Sequence, residues 1–261
     1  MMIDRQRVKE QFASYVKNYN PSDPKIALKI AHTYRVADNC EQIAKSISLS
    51  DDEVEFAWLS GMLHDIGRFE QVKRFNTFID SESVDHAEFG ADLLFGDDKL
   101  IKAYADDRSW DKELEIVIRQ HNKYRIDESI AGKTLIFCNI LRDADKVDIL
   151  RVNVETPMEE IYNVTKEVLF SSGVSEKVME QVREHHAVNR DVMDSPAEHL
   201  IGHIALTFEL VYPKSWELAK KQGYLYKMFE FPTQNESMKK ALKETREEVE
   251  SYYTCKNLSI E

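Results

Sequence analysis

The stretch Met62-Leu63-His64-Asp65-Ile66-Gly67-Arg68 sets an imidazole, a carboxylate, a glycine and a guanidinium directly behind an apolar run. Ala57, Trp58, Leu59, Met62 and Leu63 fall at near-helical spacing, which predicts a buried helix that stops close to Gly67. Ser50-Asp51-Asp52-Glu53 is a capping-box-like start for it, so the helix covers about residues 52–65 and delivers His64 and Asp65 at its end. Burying such a pair is costly unless something binds it.

Upstream, Val8, Phe12, Tyr15, Val16 and Tyr19 mark one side of a leader helix that is stopped by Asn20-Pro21-Ser22-Asp23-Pro24. A second helix starts at the Ser22/Asp23 cap with Pro24 in its first turn, and carries His32. Downstream of Gly67 the sequence reads as a polar, basic loop with Arg68, Lys73, Arg74 and Asn76. A helix from Ser83 then places His86 in its first turn, and another, near residues 112–121, ends at His121. Residues 134–151 read as a core helix with Asp143, Asp145 and Asp148 among Leu and Ile. Further helices are expected near 99–105, 157–170, 175–184, 196–211, 215–229 and 236–252.

With only 8 Gly and 6 Pro and 31% charged residues, the 261-residue chain reads as all-α rather than a many-turned β-sandwich. Residues 1–21 are expected as the leader, 22–215 as one helical domain and 216–261 as a helical extension packed on it. The net charge of -12 argues against duplex nucleic acid as a partner, although a small phosphorylated ligand can be met locally by a metal and a few basic groups. Cys40, Cys138 and Cys255 are odd in number and far apart, which suggests neither a disulfide framework nor a thiolate zinc site and fits a reducing cytoplasm. No apolar run reaches membrane-spanning length, and the N-terminus is charged from its start. Oligomeric state is not legible.

His32, His64 with Asp65, His86, His121 and Asp145 lie on separate expected helices beside core-type residues. Imidazoles and carboxylates without cysteine suit Mn, Fe, Co, Ni, Zn or Mg and leave positions open for water and a phosphate. Taken singly, each residue has a plainer role: a core histidine held by a hydrogen bond, an aspartate paired with Arg142 or Lys146, a solvated Arg68.

The order His32, His64-Asp65, then Asp145 within Leu141-Arg142-Asp143-Ala144-Asp145-Lys146 resembles the H…HD…D pattern of the HD-domain superfamily of metal-dependent phosphohydrolases. The resemblance covers roughly residues 26–151 and implies an HD-domain helical bundle with additional C-terminal helices. It makes His32, His64, Asp65 and Asp145 the ligands of a first divalent ion, with Asp143 as the competing register for the last. His86 and His121 extend the likeness to the binuclear branch, in which Asp65 would bridge two ions. Asn122 stands where that branch has a second histidine, and no Gly-Tyr-Pro signature follows, which disfavours cyclic dinucleotides.

The implied activity is hydrolysis of a phosphomonoester or phosphodiester in a nucleotide or related small metabolite. Its alternative is a non-catalytic regulatory protein that binds metal and nucleotide. Asp65, Arg68 and Lys146 are the implied catalytic residues, Arg68 as the phosphate clamp, with Arg35, Lys73 and Arg74 behind them and Arg142 and Lys123 unplaced. His185, His186, His199 and His203 read as structural, since no Glu makes His199 and His203 a zinc-binding motif. The series Tyr212, Trp216, Tyr224, Tyr226, Phe229 and Phe231 reads as a packing surface.

Overall fold

Helix-forming sequence punctuated by strong caps builds the chain as α-helices, with no strand among the described residues. The computed structural model describes residues 3–97 and 99–256; residues 1–2 and 257–261, which fall within the expected leader and extension, lie outside them. Two compact units, Met1–Asp145 and Lys146–Glu261, divide the chain. That division falls inside the 22–215 span expected for one domain.

The first unit opens with α1 (Arg5–Val16) and α2 (Pro24–Ser46). Asp23 caps α2 by accepting from the Lys25 amide, and Pro24 takes the first turn, where its missing N–H costs nothing. α3 (Asp51–Leu63) starts on a Ser50/Glu53 capping box and buries almost every residue from Val54 to Leu63, so it is the central helix. It packs along α2, and a Cβ on Gly61 would meet the Ala37 Cα at 2.6 Å. Only glycine allows that crossing.

Two expectations are corrected directly after this helix. α3 stops at Leu63, and Gly67 does not end it. Residues 66–75, expected as a basic loop, form α4 (Ile66–Phe75). Ile66, Phe69 and Val72 make a buried helical face there, which outweighs the poor helix propensity of one glycine. Gly67 serves instead as a contact: a Cβ on it would meet the His86 carbonyl oxygen at 2.5 Å and the Gly90 nitrogen at 2.7 Å. It thereby sets how closely α4 approaches α5 (His86–Phe95). The unit continues through α6 (Ile101–Tyr104) and α7 (Asp111–Gln120). α8 (Gly132–Glu155) carries the division between the units.

In the second unit the expected helix over 157–170 is two, α9 (Met158–Tyr162) and α10 (Lys166–Ser171), broken at Asn163 in the left-handed region. α11 (Glu176–Arg183) and α12 (Pro196–Ala205) follow. Gly223, at φ 72, splits the expected 215–229 helix into α13 (Pro213–Gln222) and α14 (Tyr224–Phe229), and α15 (Glu236–Cys255) ends the described chain. Leu200, Ile201, Ile204, Trp216, Met238 and Val249 belong to one core, in which the Trp216 ring stacks on Tyr253 at 3.4 Å. Phe229 and Phe231 are buried in the same core and Tyr224 and Tyr226 pack against it, so the aromatic series packs from Trp216 onward. No helix among the described residues is long and apolar enough to cross a membrane.

Candidate metal centre

His64 is the C-cap residue of α3 and Asp65 the N-cap residue of α4, so both sit in the two-residue break between these helices. On a continuous helix neighbours diverge by about 100°. The break turns both side chains toward one centre, where His64 Nε2 and Asp65 Oδ2 stand 3.5 Å apart. α2 brings His32, with Nε2 at 3.3 Å from His64 Nε2 and 3.5 Å from Asp65 Oδ2. α8 brings Asp145, whose Oδ1 lies 3.1 Å from His32 Nε2 and 3.9 Å from His64 Nε2. Asp143, two residues earlier, faces about 200° around the helix from it.

The other oxygen of Asp65 looks the opposite way. Its Oδ1 lies 3.5 Å from Nε2 of His86, in the first turn of α5, and 3.8 Å from Nε2 of His121, the C-cap residue of α7. The six residues expected as ligands therefore come together around one carboxylate, an imidazole pair on each side. All except Asp145, at 17% side-chain exposure, are buried.

The donor set fits a cation. His64 Nδ1 donates to the Gly61 carbonyl at 2.8 Å, and His121 Nδ1 to the Ile118 carbonyl at 2.7 Å. His86 Nδ1 donates to Asp80 Oδ2 at 2.6 Å. With Nδ1 carrying the proton, each neutral ring presents a bare Nε2 lone pair. His86 Nε2 and His121 Nε2 face each other at 3.0 Å, so with both protons on Nδ1 two lone pairs meet, an arrangement that a cation between them would satisfy. Ligands about 2.1 Å from one ion and about 90–110° apart stand about 3.0–3.5 Å from each other, which covers the separations here except His121–Asp65 at 3.8 Å and Asp145–His64 at 3.9 Å.

Protonation states agree. Burial pushes the His64 imidazole down to about 4, helped by His121 and His32. Burial and the Arg68 guanidinium push His86 down to about 3. Burial alone would raise the Asp65 carboxyl, but the Lys29 ammonium and the facing imidazoles overcome it and hold it well below the carboxylate range. Asp145 is lowered against burial chiefly by His32. Neutral imidazoles and ionised carboxylates are the forms that bind metal.

Sequence reasoning missed the frame around these groups. Asp80, on a one-turn 3-10 helix between α4 and α5, fixes the His86 tautomer. Arg68 Nη1 donates to Asp80 Oδ1, the Phe78 carbonyl and Gln71 Oε1, while its Nε is buried with no acceptor, 3.7 Å from Asp65 Oδ1. The fully buried Gln71 donates to Asp80, Ser83 and Val84. Lys29, three residues before His32 and so on the same face of α2, places Nζ 2.6 Å from Asp65 Oδ2. That spacing was a readable signal. Nothing periodic pointed to Asp80.

Asp80, Asp85 and His86 also lie within ligating distance of one another. Their carboxylates are already met by Arg68, Lys123 and Asn122, which makes this group a hydrogen-bonded support. Arg142 donates to the Gln120 and Lys123 carbonyls and so closes the end of α7 beside His121. Lys73 and Arg74 are exposed beside Glu70. Lys146, next to Asp145 in α8, is buried and opens the second unit.

Residues 30–150 match the family model described as HD domain, and the match spans His32, the His64-Asp65 pair, His86, His121 and Asp145. The chain contains an HD domain. Among curated proteins nothing matches the chain, and among solved structures nothing matches it either. The cluster of this HD domain could hold a metal ion, and the superfamily to which it points is that of metal-dependent phosphohydrolases.

Proposed function

We propose that the chain is a metal-dependent phosphohydrolase that holds two divalent ions and cleaves a phosphomonoester or phosphodiester bond in a nucleotide or related small metabolite. The observation that carries this reading is Asp65, with Oδ2 toward His32 and His64 and Oδ1 toward His86 and His121. His32, His64, Asp65 and Asp145 would hold one ion, and Asp65, His86 and His121 the other. Bound there, the ions supply Lewis acidity toward a phosphoryl oxygen and a more acidic water.

The chain's own groups do the rest. Burial keeps His64 and His86 neutral below ordinary physiological pH, so their Nε2 atoms stay available. Lys29 Nζ and the Arg68 guanidinium flank Asp65 from its two oxygens and both lie against the Phe78 ring, 5.3 and 5.6 Å from its centroid. They are the cations we assign to the phosphate oxygens, with Asp80 holding Arg68 in place. Lys146 remains a candidate through its place beside Asp145. The free cysteines fit work in a reducing cytoplasm.

The test measures bound metal, then assays phosphomonoesters, phosphodiesters and nucleotides with Mn, Co, Ni and Mg supplied separately. Turnover of one class by protein carrying about two ions per chain is expected. Folded, loaded protein that turns over none of them would overturn the enzyme reading in favour of regulatory nucleotide binding.

A further inference from the structure

A second concave site lies in the first unit, between the end of α5, α6 and the first half of α7, with a volume of about 630 Å³. None of the cluster residues lines it. Small-molecule sites typically span about 300–1,000 Å³, so its size suits a metabolite.

Its charge is unlike that of the chain. Three acidic side chains line it, and each is held by an arginine: Asp106 by Arg7 at 2.6 Å, Asp111 by Arg108 at 2.6 Å, and Glu115 by Arg119 at 2.8 Å. Asp106 and Asp111 are thus neutralised from within the protein, while Glu115 shares Arg119 with Glu88 and Asp92. Lys99, Lys102 and Lys112 also line the groove, and none of the three makes an ion pair among the described residues. Three ammonium groups outside the ion pairs of the described residues therefore line one cavity, on a protein of net charge -12. Arg108 adds an Nη1 that is buried without a hydrogen-bond partner. Lys99 holds a backbone φ of 46, a left-handed conformation that glycine or asparagine adopts more cheaply. Phe95 and Ala105 supply an apolar side to the same cavity.

We propose that this groove binds a small polyphosphate anion, with Lys99, Lys102 and Lys112 taking the phosphate oxygens. A chain of phosphates matches several ammonium groups around one cavity better than a single monoanion does. The source is either a nucleoside polyphosphate, whose base would lie on Phe95, or inorganic polyphosphate. α7 runs from this groove to His121, about 15 Å along its axis, so the two sites are separate but share a rigid element. The proposal does not depend on the chain being an enzyme.

The experiment is calorimetric titration of chelator-dialysed, full-length protein with inorganic tripolyphosphate and with ATP at about 0.05 M salt, repeated at about 0.3 M. Two variants accompany it, Lys102→Glu/Lys112→Glu and Asp65→Ala, with circular dichroism to confirm folding. One anion per chain is expected, weakened about tenfold or more by the double lysine variant and by the higher salt, and unchanged by Asp65→Ala. Tighter binding of ATP upholds the proposal with a nucleotide as source, and equal binding upholds it with the inorganic chain. Two results overturn it: no binding by wild type at about millimolar anion, or binding that survives the lysine changes and disappears with Asp65→Ala.

Discussion

His86 and His203 are both histidines whose imidazoles are pushed down to about 3 by burial, one in each compact unit, yet their surroundings differ in kind. His203 Nδ1 lies 2.8 Å from Asn153 Oδ1, which also accepts from the Tyr162 hydroxyl at 2.6 Å, while Asn153 Nδ2 donates to the Ile149 carbonyl. Neutral groups satisfy it. His86 is tied at Nδ1 but turns Nε2 toward another bare Nε2 and a carboxylate oxygen. Burial alone therefore does not separate a structural histidine from a ligand. His86 is set apart by the imidazole and the carboxylate oxygen that its Nε2 faces.

The largest effect expected from this contrast is at Asp65, which both imidazole pairs share. Asp65→Ala should lose both ions and lower kcat/KM by on the order of a thousandfold, read by elemental analysis and a phosphatase assay. Retention of full metal content would break the assignment. Next, His86→Ala should drop metal from about two ions per chain to about one. His203→Ala should leave metal content unchanged and cost about 1–3 kcal/mol of stability in a denaturant titration. Equal metal loss in the two would erase the comparison.

Asp80→Asn tests the support behind His86. The amide retains the shape but not the charge of the partner, and metal affinity at that side should fall about 10–100-fold in a competition titration with a chelating dye.

The last test is the pH response of His203. Its folded pKa lies below the ordinary value of 6.5, so between the two values the unfolded chain binds more protons. Stability conferred by the neutral ring is complete above about 6.5 and is lost as pH falls toward about 3, at up to about 1.4 kcal/mol per pH unit. Thermal melts across that range should show a shallower acid slope in His203→Asn than in wild type.

Much of this was legible in the chain. Asp23-Pro24 and Ser50-Asp51-Asp52-Glu53 announce helix starts by chemistry that acts within one turn, and both lie where expected. His32, His64, Asp65, His86, His121 and Asp145 could be grouped because each sits beside core-type residues and their order resembles the H…HD…D pattern. Gly67 misled, because propensity ranks glycine as a helix breaker while close packing against the His86 carbonyl requires it inside α4. Asp80 was out of reach, since its role depends on how the turn between α4 and α5 folds back over His86. The break between the compact units, inside the uninterrupted α8, left no mark in composition.

The two-sided placement of Asp65 also has a consequence for how metal would load. Sites that share one carboxylate are linked thermodynamically, so whatever an ion on Oδ2 does to the affinity at Oδ1, an ion on Oδ1 must do equally in return. Metal titrations of this protein should then follow a coupled isotherm rather than the sum of two independent ones.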